Sequence, residues 1–167
     1  SILKNENDSW KFVSNITFPA ITERTRVQLA GEKDIWIISN QRSDIKQLYK
    51  STDGGTTFDE VAIPEVPFIY NLSSLDESKL VFSSYDHLFL TTDGGETWLK
   101  KDKDNLIRQV IYLDDNTLLS LTVEGMLISK DLGDNWTSVS IPNFRIEGNP
   151  GIRFFNENVG FLQSSGR

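Results

Sequence analysis

Three eight-residue stretches of this chain obey one rule: STDGGTTF (Ser51–Phe58), TTDGGETW (Thr91–Trp98) and SKDLGDNW (Ser129–Trp136). Each reads hydroxyl, x, Asp, x, Gly, x, x, aromatic. Ser51 and Thr91 stand 40 positions apart, and Thr91 and Ser129 stand 38 apart. A unit of that length cannot bury its apolar surface alone, so a regular period implies units stacked on one another.

Between the boxes run short alternating or apolar segments bounded by turn residues, which is strand chemistry. The first unit reads RVQLA (26–30), DIWIIS (34–39), QLYKS (47–51), the box, and TTFDEVAI (56–63). The second reads FIYNL (68–72), KLVFSS (79–84), HLFLT (87–91), the box, and ETWLKK (96–101). The third reads RQVIYL (108–113), TLLSLT (117–122), GMLISK (125–130), the box, and NWTSVSI (135–141). Each unit is four strands with the box between the third and fourth, and no window has a helical period.

The box can be built as a turn. A carboxylate at its third position (Asp53, Asp93, Asp131) accepts hydrogen bonds from backbone N–H groups that follow it, as in Asx-turns. Glycine at the fifth (Gly55, Gly95, Gly133) supplies positive φ. The hydroxyl of Ser51, Thr91 or Ser129 ties the start of the turn to its end, and Phe58, Trp98 or Trp136 points inward to pack between units. These residues are expected to be structural.

The three boxes resemble the Asp-box, or BNR, repeat of bacterial-neuraminidase-like β-propellers. The resemblance implies an all-β array of about four four-stranded antiparallel blades, with the boxes at the periphery and remote from the central channel. The units then correspond to blades at about 20–63, 64–102 and 103–142 of a single domain spanning 1–167. A fourth blade is expected from both ends, from 143–167 plus 1–19. GIRFFNENVGFLQSSGR (151–167) reads as two opening strands, and LKNENDSW (3–10) aligns with the box if Asn5 replaces Asp and Asn7 replaces Gly, with Trp10 as the aromatic. Sharing one blade between the ends removes exposed edges. Closure within one chain or between two copies stays open, as does a segment cut from a larger propeller.

Composition removes several function classes. There is no cysteine, hence no disulfide, thiolate metal site or cysteine nucleophile. The net charge of −7 and the absence of a Lys/Arg run argue against a nucleic-acid partner. No segment approaches the ~20 apolar residues of a membrane span. The opening SILKNENDSW lacks the apolar core of a signal peptide. The compartment stays open, with a periplasmic or extracellular setting favoured if a targeting segment has been removed. Sequons at Asn7, Asn15, Asn71 and Asn135 carry little weight in an Asn- and Ser-rich chain.

Sialidases, as enzymatic relatives, imply an arginine cluster, a Tyr nucleophile paired with a Glu, and an Asp acid/base. Arg26, Arg108 and Arg153 lie on expected innermost strands and are candidates for an anion site. FRIE (144–147) resembles the sialidase FRIP signature, with Glu147 in place of proline. Tyr70 and Tyr112 are read as core or channel-lining aromatics, and no Tyr–Glu pair can be placed. The lone His87 is read as a surface or packing residue. Asp76–Glu77 and Asp114–Asp115–Asn116 fill matching turns; their carboxylates could hold a hard cation, but tight solvated turns explain them, so neither metal nor cofactor is expected.

The chain more closely resembles the non-catalytic photosystem II stability/assembly-factor-like propellers, through FFNENVGFL (154–162). That likeness implies an assembly or interaction scaffold. Sortilin-type domains, which also carry boxes ending in Phe, are larger and contain cysteine. The expected function is therefore non-enzymatic binding of a protein, peptide or glycan by a propeller face. A sialidase-like hydrolase or its remnant, and a structural segment of a larger extracellular or periplasmic propeller, are the alternatives.

Overall fold

The computed structural model describes residues 2–6, 9–15, 25–30, 33–39, 46–85, 87–103, 107–122, 124–141, 151–156 and 159–163. All regular structure among them is strand. Hairpin β1 (Ile2–Glu6) and β2 (Ser9–Ser14) comes first. The first blade is β3 (Arg26–Ala30), β4 (Asp34–Ser39), β5 (Gln47–Ser51) and β6 (Asp59–Val61). The second is β7 (Asn71–Ser74), β8 (Leu80–Ser84), β9 (His87–Thr91) and β10 (Leu99–Asp102). The third is β11 (Ile107–Tyr112), β12 (Leu118–Thr122), β13 (Met126–Ser129) and β14 (Thr137–Val139). Hairpin β15 (Gly151–Asn156) and β16 (Val159–Gln163) closes the series. Every sheet is an antiparallel meander in chain order, giving the all-β, propeller-like architecture expected from the repeat.

Central strands β8 and β12 are buried along their whole length because each blade is covered on both faces. On β8, Leu80 and Phe82 point back into a core shared with Trp36, Ile38 and Leu48 of the first blade. Val81, between them, points forward to Val110, Tyr112 and Leu118 of the third. Leu119 and Leu121 then pack with Ile152 of β15. Core therefore exists between blades rather than within them, as the period required.

Each box forms a hydrogen-bonded turn. Ser51 Oγ donates to Asp53 Oδ1 (2.8 Å) and accepts from Gly55 N–H (2.9 Å). Asp53 Oδ1 accepts from the N–H groups of Thr56 (2.9 Å) and Thr57 (3.0 Å). Thr91–Asp93–Gly95–Thr97 and Ser129–Asp131–Gly133–Asn135 repeat the set. The fourth position also has positive φ, and in the third box it is Leu132, at φ 54°. Its N–H is tied to the turn between first and second strands in every blade: Gly54 to Lys33 O, Gly94 to Ser78 O, Leu132 to Asn116 O. Trp98 Nε1 donates to Ala62 O of the preceding blade (2.9 Å), and Trp136 packs into the core between second and third blades.

Residues 3–6 and 9–10 of the expected fourth box belong to a hairpin ladder. Asn5 pairs with Trp10 and Glu6 with Ser9, so the ladder continues where the true boxes leave it. Leu3 occupies the hydroxyl position, so this stretch lacks the hydroxyl that bridges the third and fifth positions in the other three. Asn7 lies outside the described residues. The two end hairpins are separate two-stranded sheets, with no pairing between them among the described residues.

Candidate functional site

In a four-stranded meander the starts of the first strands and the second-to-third turns lie at one end. The boxes and the first-to-second turns lie at the other. Innermost strands β3, β7, β11 and β15 line a cavity of about 760 Å3, and among the described residues no residue of the three boxes lines it.

Neighbouring inner strands are joined by side chains rather than by a ladder. Ladder positions make Arg26, Asn71, Gln109 and Gly151 equivalent, since they pair with Ile38, Ser83, Leu121 and Gln163. Asn71 Oδ1 accepts from Val110 N–H of the next blade (2.8 Å). Gln109 accepts from Ile152 N–H (2.9 Å) and donates to Ile152 O (2.8 Å), clasping β15 with both ends of its amide. Ser73 Oγ accepts from Tyr112 N–H (3.2 Å). The first blade carries Arg26 where the next two carry these amides. Sequence reading passed over Asn71 and Gln109; an amide recurring one residue before a buried apolar position on successive first strands was the available signal.

Of the three candidate arginines, Arg26 and Arg153 line the cavity and Arg108 does not. Ile107 pairs with Thr122 and Gln109 with Leu121, so Arg108 is the extra residue of a β-bulge. A bulge breaks the in-out alternation and re-aims a side chain, which is why inner-strand membership alone did not place Arg108 with the other two.

Two hydroxyls stand at the box end of the cavity wall. Ser74 Oγ and Tyr112 Oη are buried and have no hydrogen-bond partner among the described residues. Burial, with the negative charge of Asp76 adding to it, pushes the Tyr112 phenol well above its ordinary value of 10.0. It stays protonated and is suited to donating a hydrogen bond, not to nucleophilic attack. Among the described residues the lining contains arginine, amide, hydroxyl and apolar groups but no carboxylate and no histidine.

Other candidates have structural partners. Tyr70 precedes β7 instead of lying on an inner strand, and packs edge-on against Phe68 (5.0 Å) and Tyr85 (6.0 Å). His87 Nδ1 stands 3.0 Å from Asp102 Oδ1 on β10. Together with Tyr85, Phe89 and Lys100 it lines a second cavity of about 640 Å3 beside the β8–β9 turn. Asp76 Oδ1 accepts from Ser78 N–H, Ser78 Oγ and Lys79 N–H, each at 2.8 Å. Asp114 Oδ1 accepts from Asn116 N–H (2.9 Å) and Thr117 N–H (2.8 Å). Both aspartates are thus turn acceptors, and among the described residues no cluster of three or more metal-ligating side chains is gathered. Residues 144–147 lie outside the described residues.

No protein-family model matches the chain, and no curated protein matches it. Among solved structures it is similar to YCF48 bound to D1 peptide (TM-score 0.59, 19% identity, over 74% of this chain and 41% of that one). It is similar also to YCF48 from Cyanidioschyzon merolae (0.55, 18%, over 72% and 38%). The GH74 enzyme of Niastella koreensis aligns less well (0.53, 17%, over 68% and 22%). This chain thus spans about two fifths of the YCF48 chains and about a fifth of the GH74 chain. At these identities the likeness is one of fold: a β-propeller resembling YCF48.

Proposed function

We propose that this chain is a non-enzymatic binding scaffold whose inner-strand cavity holds a peptide through an anionic group, such as a C-terminal carboxylate. The observation that carries the reading is the cavity's make-up. Arg26 and Arg153 bring positive charge, Ser74 and Tyr112 bring hydroxyls, and Val27, Leu29, Ile111 and Phe161 bring apolar surface. Such sites, mostly apolar with a few placed polar groups, bind and orient ligands. Glycoside hydrolysis asks instead for a pair of carboxyl groups flanking the scissile bond, and none is among the described lining residues. The YCF48 structure that contains a D1 peptide supports a peptide over a glycan as ligand class.

The test is fluorescence anisotropy with a library of labelled peptides bearing free C-termini, each compared with its amidated form. A charge-assisted hydrogen bond contributes about 1.5–3 kcal/mol. Binders should therefore weaken by about 10- to 100-fold on amidation and in Arg26→Ala and Arg153→Ala, while Arg108→Ala binds as the parent does. Binding indifferent to amidation and to Arg26 and Arg153 would refute the anionic reading, and absence of any binder would refute the scaffold.

A further inference from the structure

At its end remote from the box, the second blade carries side chains that the repeat does not require. The ladder places Phe82, Phe89 and Lys100 in one row and Ser84, His87 and Asp102 in the next. Residues paired directly across antiparallel strands, and residues two apart on one strand, share a face. Phe82 and Phe89 mark it as the face packed toward the first blade. In the first blade the ladder counterparts of His87, Phe89 and Lys100 are Gln47, Tyr49 and Glu60. In the third, those of Phe89 and Lys100 are Leu127 and Ser138. An aromatic ring recurs once, but the imidazole and the ammonium do not.

Beyond the interblade core this face opens into the cavity of about 640 Å3, within the range of about 300–1,000 Å3 typical of small-ligand sites. Its floor holds Val66 and Phe89, both buried. Tyr85 in its wall has an unusual backbone. β8 ends at Ser84 and β9 begins at His87, so Tyr85 opens a two-residue hairpin connection. Its φ of 50° is the left-handed conformation in which such turns favour Asn or Gly. Strain of this kind collects where a ligand is clamped. Tyr85 is 44% exposed, yet its ring is held by Phe68, tilted at 4.3 Å, and Tyr70, edge-on at 6.0 Å. Its carbonyl accepts from Ile107 N–H (3.3 Å). Polar groups of the lining are set in place as well: Asp102 Oδ1 stands 3.0 Å from His87 Nδ1 and 3.3 Å from Lys100 Nζ. A fixed aromatic plate with oriented polar groups loses little freedom on binding.

We propose that this cavity is a binding site for a neutral saccharide unit. An apolar side chain from a partner would strip water from Glu65, Ser84, His87 and Lys100 and return no hydrogen bond. A charged ligand would meet its own sign at either Glu65 or Lys100, whose charges cancel. A pyranose ring has apolar C–H faces and a rim of hydroxyls that both donate and accept. One face lies on Tyr85, while hydroxyls donate to the Glu65 carboxylate and accept from the Lys100 ammonium, two charge-assisted bonds. The site shares no described lining residue with the inner-strand cavity and does not rest on the peptide reading.

The test is saturation-transfer NMR and calorimetric titration of the unmodified chain with glucose, galactose, mannose and N-acetylglucosamine, and with a tetramer of each. At least one should bind saturably, with saturation strongest at its ring C–H protons. Equal affinity for monomer and tetramer would support the site as one for a free sugar, and tighter tetramer binding would support it as one for a glycan. Tyr85→Asn suits the positive φ but removes the ring; it should keep the parent's circular dichroism and weaken binding about tenfold or more. Glu65 is exposed, so Glu65→Gln tests the site even if the turn variant fails to fold, and with Lys100→Met it should weaken binding about tenfold. Tyr85→Phe, which keeps the ring, and Glu60→Ala, at the first-blade counterpart of Lys100, should bind as the parent does. No binding by any of these sugars, or binding unmoved by Tyr85→Asn and Glu65→Gln, would overturn the proposal. A preference for glucuronic acid or glucosamine over glucose would overturn it too, because charge would then govern the site.

Discussion

Gly95 is the position where the box and the interblade core meet most closely, so replacing it with alanine separates two energies. Its φ of +94° disfavours any side chain, at a cost of about 1–3 kcal/mol. Gly133 occupies the same box position at φ +93°. The surroundings differ. A Cβ on Gly133 would meet Leu88 Cδ1 and Trp136 Cζ2 at 3.6 Å, ordinary contact, whereas a Cβ on Gly95 would overlap Val61 Cγ1. Val61 is buried and stiff at χ1, so overpacking adds about 1–3 kcal/mol there. Gly95→Ala should therefore melt below Gly133→Ala by about 2–12 °C, taking about 2–4 °C per kcal/mol for a domain of this size. Val61→Ala should relieve the clash, giving a coupling of about 0.5–3 kcal/mol in a double-mutant cycle followed by circular dichroism. Equal melting temperatures for the two glycine variants, or strict additivity with Val61→Ala, would refute the claim that the second box is seated on Val61.

The box carboxylates make stability depend on acid. Hydrogen bonds led by the Thr57 and Asn135 backbones hold Asp53 and Asp131 at about 2, and bonds led by the Thr97 hydroxyl lower Asp93 as well, from an ordinary 3.8. Folded values below unfolded ones mean stability that is complete above about pH 4 and lost as pH falls toward 2; a melting temperature flat across that window would contradict it, and Asp53→Asn with Asp131→Asn should flatten the profile. Gln109→Ala removes both bonds to Ile152 and should cost about 1–3 kcal/mol, with amide exchange accelerating first at Gly151–Asn156; exchange unchanged there would deny the clasp. Trp98→Phe keeps the ring but loses the bond to Ala62 O, at about 1 kcal/mol by urea denaturation, and no change would mean that the indole N–H is equally well served by water.

What was legible in the sequence was local. Hydroxyl, Asp and Gly at fixed offsets form one turn whose hydroxyl and carboxylate bonds each span at most four positions, so that part of the box could be built without knowing the fold. Apolar runs such as DIWIIS and LVFSS carried the strands, because blades buried on both faces leave little alternation to misread. Residues 68–70 were expected in the strand that begins at Asn71; Phe68 and Tyr70 instead pack with Tyr85, and their apolar character mimicked a strand. The site was less legible because its geometry is set between units. Arg108 has the same residue type and inner-strand address as Arg26 and Arg153, but it is the extra residue of a bulge and precedes Gln109, the counterpart of Arg26 in the ladder. Asn71 and Gln109 bond to the backbone of residues 39 and 43 positions away. Asn5 and Trp10 matched the box by residue type, but Leu3 withheld the hydroxyl on which the turn depends.

The most direct test of the binding account is backbone-amide chemical-shift mapping of the isotopically labelled chain, titrated with the tightest free-acid peptide and then with its amide. The account expects saturable shifts clustered on Arg26, Asn71, Gln109, Tyr112 and Arg153, reduced for the amidated peptide. Shifts confined to the boxes, or to the cavity around Tyr85 and His87, would contradict it.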